Sequence, residues 1–137
     1  MSRADVIPYA TLLLRLALGV LFIAHGSVKL FVYKPAGTAA YFKSLGLPGF
    51  VGYFTMAAEI GGGTLLLLGI ATTIVALGLV PLMLGTIVMV HGSKGWMFNN
   101  EGGGWEYPAF WSLALVVQAM LGSGAYAAGN LFGIGFL

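Results

Sequence analysis

The sequence contains no cysteine and little charge of either sign. Without cysteine the chain has no disulfides, thiolate metal sites, iron–sulfur clusters or cysteine nucleophiles. Its four acidic and six basic residues amount to 7% of the chain, whereas soluble domains carry about 25% charged residues. So few charges cannot solvate the surface of a globular domain, and they also exclude a disordered chain and a basic nucleic-acid interface. The composition therefore excludes a freely soluble monomer and a nucleic-acid partner.

Most of the sequence consists of long apolar runs. The 137 residues suit one domain, and they are 59% hydrophobic, with a mean hydropathy of +0.97. Four runs, at approximately residues 7–30, 48–70, 72–91 and 107–128, reach the length of about 20 helical residues that crosses a bilayer. The runs are continuously apolar, which favours helices over a barrel of alternating strands. The predicted fold is an all-α integral membrane protein, a four-transmembrane-helix bundle forming a single domain over residues 1–137.

Two longer connections, residues 31–47 and 92–106, follow the first and the third run. With four spans both connections lie on one side of the membrane, here called the loop face. Lys34, Lys43 and Lys94 lie on the loop face, against Arg3 on the opposite side. Because cytoplasmic loops are enriched in basic residues, this excess of lysine predicts a cytoplasmic loop face.

The chain also repeats itself. Residues 18–27 align without gaps on residues 84–93, and both segments contain Leu-Gly followed at the same spacing by His-Gly-Ser. The alignment places His25 and His91 at equivalent ends of the first and third spans, which run in the same direction. It predicts two repeated helix pairs related by an axis along the membrane normal.

Ionisable side chains inside membrane spans are costly, so each one is a candidate for pairing or function. Arg15 in the first span and Glu59 in the second lie at similar depths when residues are counted from the expected span ends. The two spans are antiparallel neighbours. We therefore expect Arg15 and Glu59 to form a structural ion pair inside the bundle.

A second polar group is expected near the loop face. His25, Lys29 and His91 lie there at one level, and the connection before the fourth span returns to that level through three glycines. The predicted catalytic residues are His25, Lys29, His91 and Glu106, and the predicted ligand contacts are His25, His91, Trp105 and Tyr107. Interfacial anchoring also explains the aromatic residues, and snorkelling explains the lysine, but neither explains two histidines at equivalent helix ends.

A quinone is the ligand that this group predicts. A quinone needs an apolar slot, donors for its carbonyl oxygens and a proton route. No flavin, haem or iron–sulfur motif is present, so electrons come from a partner or a small reductant. Expected partners are the lipid bilayer and either a second copy of the chain or a membrane or soluble redox subunit. The alternatives are a non-catalytic scaffold that recruits a soluble enzyme and, in an oligomer, a small proton or solute transporter. A metal site built from His25, His91 and Glu106 carries less weight.

These polar segments resemble the signature of the DoxX family. The resemblance rests on residues 25–30 (His-Gly-Ser-Val-Lys-Leu), Glu59 with Gly61 and Gly62, His91, and residues 102–107 (Gly-Gly-Gly-Trp-Glu-Tyr), in the family's order. It implies a four-helix protein of the bacterial inner membrane associated with membrane oxidoreductase systems. One branch of the family is a subunit of thiosulfate:quinone oxidoreductase, and other members are linked to oxidative or thiol stress.

The chain departs from the family pattern at two places within or beside the similar region, which extends from about Leu12 to Tyr126. Members commonly carry an arginine just after the second span, where this chain has Thr72 and Thr73. The tail also lacks an acidic residue that is often found there. The missing arginine would have placed the short connection in the cytoplasm, opposite to the lysine excess, so the membrane orientation stays open.

Overall fold

The computed structural model describes residues 2–137, and this part of the chain is helical without a strand. The five α-helices are α1 (Arg3–Ser27), α2 (Lys34–Ser44), α3 (Phe50–Leu68), α4 (Thr72–Thr86) and α5 (Glu106–Leu121). Two of them continue as single π-helical turns, α1 through Val28–Val32 and α4 through Ile87–His91. Short 3₁₀ turns follow at Gly92–Lys94 and Ala128–Phe132.

Within residues 2–137, three helices are long and apolar enough to cross a membrane: Ala4–Val32, Phe50–Leu68 and Thr72–Lys94. The fourth apolar run forms α5, which ends at Leu121 and not near residue 128 as predicted. Gly122 adopts a left-handed φ of +70° and turns the chain away from the helix axis. The 16 residues of α5 extend about 24 Å, which is shorter than a hydrocarbon core of about 30 Å.

Close backbone contact joins α1 to α3. A Cβ added to Gly19 would lie 2.8 Å from the carbonyl oxygen of Gly63, and a Cβ on Gly63 would lie 2.8 Å from that of Gly19. One level further along, a Cβ on Gly26 would lie 3.1 Å from the Cβ of Glu59. Glycines permit this approach, as in other membrane helix pairs. The crossing therefore fixes the register of α1 against α3.

The helices α4 and α5 form a second closely packed pair, and side chains join it to the first. The buried core between the pairs consists of Leu18, Phe22, Leu66, Ala76, Leu79, Met83, Trp111 and Leu115. Outside this core many large apolar side chains are exposed, including Phe54, Phe110 and Met120. Such an outward apolar surface suits lipid and not water.

The helix α2 lies within the connection that the sequence predicts as a loop. Its start combines Lys34, at a left-handed φ of 61°, with Pro35 in the first turn. It packs on α3 where a Cβ on Gly52 would lie 3.2 Å from the Cα of Ala39. As a result, α2 covers one side of the bundle at the loop face.

The predicted ion pair between Arg15 and Glu59 is wrong. The glycine crossing places Glu59 beside Gly26, which is 11 residues from Arg15 and therefore about 16 Å away along α1. Glu59 pairs with Lys29 instead. The error arose because depth was counted as if the ends of the two spans were level, whereas Gly19 lies against Gly63 and Arg15 lies beside Gly69, just after the end of α3.

Arg15 holds the C-terminal segment, defined here as residues 122–137. Its side chain is 2% exposed, and its Nη2 donates to the carbonyl oxygen of Tyr126 at 2.9 Å. The amide of Gly129 donates to the carbonyl oxygen of Gly69 at 3.2 Å, at the turn between α3 and α4. The C-terminal segment thus folds over the end of the bundle opposite to the loop face.

Candidate functional site

A cavity of about 750 Å³ opens between all five helices near the loop face. Its walls are largely apolar, with contributions from Val28, Phe42 and Met83. The polar side chains that line it are His25, Lys29, Tyr33, Thr38, Tyr41, Thr55, Glu59, Thr86, His91 and Tyr107. The cavity therefore combines a largely apolar surface with convergent polar side chains, as small-molecule sites do.

The two π-helical turns carry polar residues into this cavity. Lys29 lies on the turn that follows α1, and His91 ends the turn that follows α4. A π-helical turn widens the helix and is frequent at functional sites. The carbonyl oxygen of Lys29 accepts a hydrogen bond from Thr38 Oγ1 of α2 at 3.0 Å. This bond ties α2 to the wall that holds the lysine.

An ion pair forms one side of the cavity. Lys29 Nζ lies 2.8 Å from both Oε1 and Oε2 of Glu59. The Glu59 residue is only 5% exposed, so its charge depends on the lysine for compensation. An ammonium group has three N–H donors, and two are directed at the carboxylate. The third has no partner among the residues that the structure describes and can donate to a molecule in the cavity.

A hydrogen-bonded chain of three groups forms another side. His91 Nδ1 lies 2.8 Å from the carbonyl oxygen of Gly103, and Nε2 is hydrogen-bonded to the Tyr107 hydroxyl. Because a carbonyl oxygen only accepts, Nδ1 carries a proton, and Nε2 of the neutral imidazole accepts from the tyrosine. The His91 residue is 8% exposed. Its tautomer is therefore set by the protein backbone.

The glycine-rich loop positions that carbonyl group. Gly102 and Gly103 have left-handed φ values of +80° and +76°, which glycine adopts without steric cost. A Cβ on Gly104 would collide with the carbonyl oxygens of Trp96 and Met97. The predicted close fold-back of the three glycines is what brings the loop onto the histidine ring.

His25 lies on a third side of the cavity. Its ring packs edge-on against that of Trp111, with centroids 4.9 Å apart. Trp111 also lines the cavity and is not among the residues predicted to contact a ligand. It follows Tyr107 by four positions, so the helical repeat places both side chains on one face of α5. This four-residue spacing from Tyr107 is the feature of the sequence from which the position of Trp111 in the cavity wall could have been predicted.

Two residues predicted for the site lie outside the cavity. Glu106 Oε1 accepts a hydrogen bond from the backbone amide of Phe98 at 2.7 Å and so closes the loop on itself. The ring of Trp105 packs edge-on against Trp96, with centroids 4.4 Å apart. The side chains of neighbouring residues in a helix point about 100° apart. Of the consecutive residues Trp105, Glu106 and Tyr107, only Tyr107 therefore faces the cavity. The metal-ligand set of His25, His91 and Glu106 is consequently not assembled.

Comparisons with known proteins identify the family. The sequence profile of the DoxX family matches residues 10–92. The Bacillus subtilis (strain 168) protein named "Putative oxidoreductase CatD" is 38% identical over 91 residues, which are 66% of this chain and 66% of that protein. The Escherichia coli (strain K12) "Inner membrane protein YqjF" is 34% identical over 82 residues, 60% of this chain and 62% of that protein. The similar region thus spans slightly less than two thirds of each relative, and no solved structure matches the chain.

The matched region contains much of the cavity wall. It includes His25, Lys29, Glu59 and His91, whereas the glycine-rich loop and Tyr107 follow it. The membrane assignment rests on this match, on the three helices long enough to cross a bilayer and on the inner-membrane relative. The chain belongs to the DoxX family and is a multi-pass protein of the bacterial inner membrane.

Proposed function

We propose that this protein binds a quinone-type ring in the loop-face cavity and acts as a subunit of a membrane oxidoreductase system. One observation carries the proposal: the cavity presents the Lys29–Glu59 ion pair on one side and the His91–Tyr107 pair on another. A quinone carries two oxygens at opposite ends of a flat apolar ring. Separate polar groups on an apolar cavity suit that pattern.

The size of the cavity supports this ligand. Pockets for small molecules and cofactors enclose about 300–1,000 Å³, and this cavity encloses about 750 Å³. Apolar side chains from α1, α2 and α4 line it beside the polar groups. Such walls exclude water and strengthen the electrostatic interactions of the polar groups with a ring oxygen.

Lys29 and His25 have distinct roles in this proposal. The free N–H of Lys29 donates to one ring oxygen and stabilises negative charge that develops on it. The imidazole ring of His25 forms no hydrogen bond within residues 2–137, so both ring nitrogens are available to a ligand. A neutral imidazole has one N–H donor and one acceptor nitrogen. In this proposal His25 donates a hydrogen bond to a ring oxygen or accepts the proton of a ring hydroxyl.

Electron transfer is assigned to a partner. The Bacillus subtilis relative is named as an oxidoreductase, and this name supports a redox role here by similarity. In the proposal a membrane or soluble subunit, or a second copy of this chain, completes the electron path. We also infer that α5 forms the fourth span of a bundle with two repeated helix pairs, because α5 packs along the membrane-crossing α4.

Quinone titration of the full chain in lipid nanodiscs tests the proposal. Decylubiquinone is added, and quenching of tryptophan fluorescence is measured, since Trp111 lines the cavity. The double variant Lys29→Met/Glu59→Gln removes both charges together. A hydrogen bond to a charged group contributes about 1.5–3 kcal/mol, so the affinity should fall about tenfold or more.

Lys94→Met is the matched control, because Lys94 is an exposed loop lysine on the same face. It should leave quenching unchanged. Absence of saturable quenching in the unmodified protein would refute quinone binding and favour the scaffold interpretation. Equal affinities for the double variant and the unmodified protein would show that the quinone lies elsewhere.

A further inference from the structure

We propose that Tyr107 is a proton acceptor for a ring hydroxyl, and that the site therefore prefers the hydroquinone over the quinone. This inference rests on the proposed function and names the redox form that the cavity binds. It depends on the hydrogen-bonded chain of Gly103, His91 and Tyr107. A quinone offers only acceptors, whereas a hydroquinone offers two O–H donors.

The direction of the chain follows from the backbone. The carbonyl oxygen of Gly103 takes the proton of His91 Nδ1, so Nε2 is the acceptor for the Tyr107 hydroxyl. The single proton of that hydroxyl is directed at the histidine. The lone pairs of the tyrosine oxygen then remain for the cavity that Tyr107 lines. A ligand group in contact with this oxygen has to be a donor.

The same geometry supports removal of a proton from the ring hydroxyl of the hydroquinone. The ring O–H bond breaks as its proton passes to the Tyr107 oxygen, and the proton of Tyr107 passes to Nε2 of His91. The products are a ring phenolate and an imidazolium, and no electron moves in this step. The carbonyl of Gly103 stabilises the imidazolium, and the ammonium of Lys29 lies in the same cavity to stabilise the phenolate.

His91 acts through Tyr107 in this arrangement and is a positioning residue. It is 8% exposed, whereas Tyr107 is 36% exposed. The ring of His91 packs edge-on against the tyrosine ring with centroids 5.0 Å apart. Replacing the histidine by an apolar residue removes the acceptor for the tyrosine proton. The freed hydroxyl would then donate to a ring carbonyl oxygen.

The test compares the affinities of durohydroquinone and duroquinone for the full chain in nanodiscs without oxygen. We expect the unmodified protein to bind the hydroquinone about three- to tenfold more tightly, the range of one hydrogen bond. Tyr107→Phe should abolish this preference, and His91→Leu should shift it towards the quinone. Tyr53→Phe removes an exposed tyrosine hydroxyl outside the cavity and should keep the preference.

The ratio of the two affinities separates this role from a structural one. A merely structural loss weakens both forms together and leaves the ratio unchanged, which would overturn the proposal. A hydroquinone preference that persists in Tyr107→Phe or in His91→Leu would also overturn it. If neither form binds the unmodified protein, the proposed function itself fails. If both forms bind it equally, only this inference fails.

Discussion

Substitution of Lys29 by methionine should destabilise the protein strongly, because it leaves Glu59 without its counter-charge. The Lys29 Nζ is 2.8 Å from both carboxylate oxygens. Breaking a buried pair by removing one partner costs about 3–5 kcal/mol. The side chains of Lys29 and Glu59 are 22% and 6% exposed, so we expect the lower end of this range, about 3 kcal/mol.

Equilibrium unfolding in mixed dodecyl maltoside and dodecyl sulfate micelles measures this change. A loss of about 3 kcal/mol lowers the folding equilibrium constant about a hundredfold, and unfolding should begin at a lower fraction of dodecyl sulfate. Circular dichroism follows the helices, and tryptophan fluorescence follows the cavity. Lys94→Met should unfold like the unmodified protein, since Lys94 is exposed in a loop.

The double variant Lys29→Met/Glu59→Gln distinguishes the lost ion pair from lost packing. The double variant leaves no uncompensated buried charge, which is the main cost of breaking a buried pair, and leaves only the smaller cost of an unpaired neutral amide. We therefore expect it to recover most of the stability that Lys29→Met loses. Equal stability of Lys29→Met and the unmodified protein would refute the ion-pair reasoning. A double variant as unstable as the single one would attribute the loss to packing of the lysine stem.

Two further substitutions address the backbone crossing and the opposite end of the bundle. Gly63→Ala should lower the free energy of unfolding by about 1–3 kcal/mol, because the added Cβ would lie 2.8 Å from the carbonyl oxygen of Gly19. The control is Gly61→Ala, which has open space around the added Cβ and should be neutral or slightly stabilising in the same micelle assay. Arg15→Met removes the hydrogen bond to Tyr126, so amide hydrogen exchange should accelerate in the C-terminal segment. The affinity for decylubiquinone should stay unchanged. Unchanged hydrogen exchange in the C-terminal segment would contradict the anchoring role of Arg15.

The membrane-crossing helices could be predicted from the sequence because they depend on composition over many residues. Long apolar runs predict the membrane-crossing helices, and the family is recognisable from short polar motifs. The predicted site residues His25, Lys29, His91 and Tyr107 line one cavity, because residue spacing along a helix determines depth and face. Their roles towards a ligand remain predictions.

The features that could not be predicted depend on contacts between helices and not on the composition of any one helix. The partner of Glu59 is Lys29 and not Arg15 because Glu59 lies beside Gly26, which is 11 residues along α1 from Arg15, and backbone contact at Gly26 determines that register. The helix α2 is short and begins with Lys34 and Pro35, so it lacks both the length and the apolar character of a span. Such a helix is recognisable only from what it packs against.

The glycine contacts distinguish two bodies in the molecule, one of α1, α2 and α3 and one of α4 and α5. The helices α1, α2 and α3 contact one another through their backbones, at Gly19 with Gly63 and at Gly52 with Ala39. Backbone atoms in contact cannot move apart by a change of side-chain rotamer. The pair of α4 and α5 meets them through side chains such as Phe22 and Trp111, which can repack.

The cavity lies between these bodies, and each body holds one polar group intact. The Lys29–Glu59 pair lies wholly on the first body, and the His91–Tyr107 pair lies wholly on the second. A displacement of one body against the other therefore changes the distance between the two polar groups without changing either hydrogen-bonding geometry. A ring bound to both polar groups would hold the two bodies at one separation, so occupancy of the cavity would fix the position of α4 and α5 relative to α1, α2 and α3.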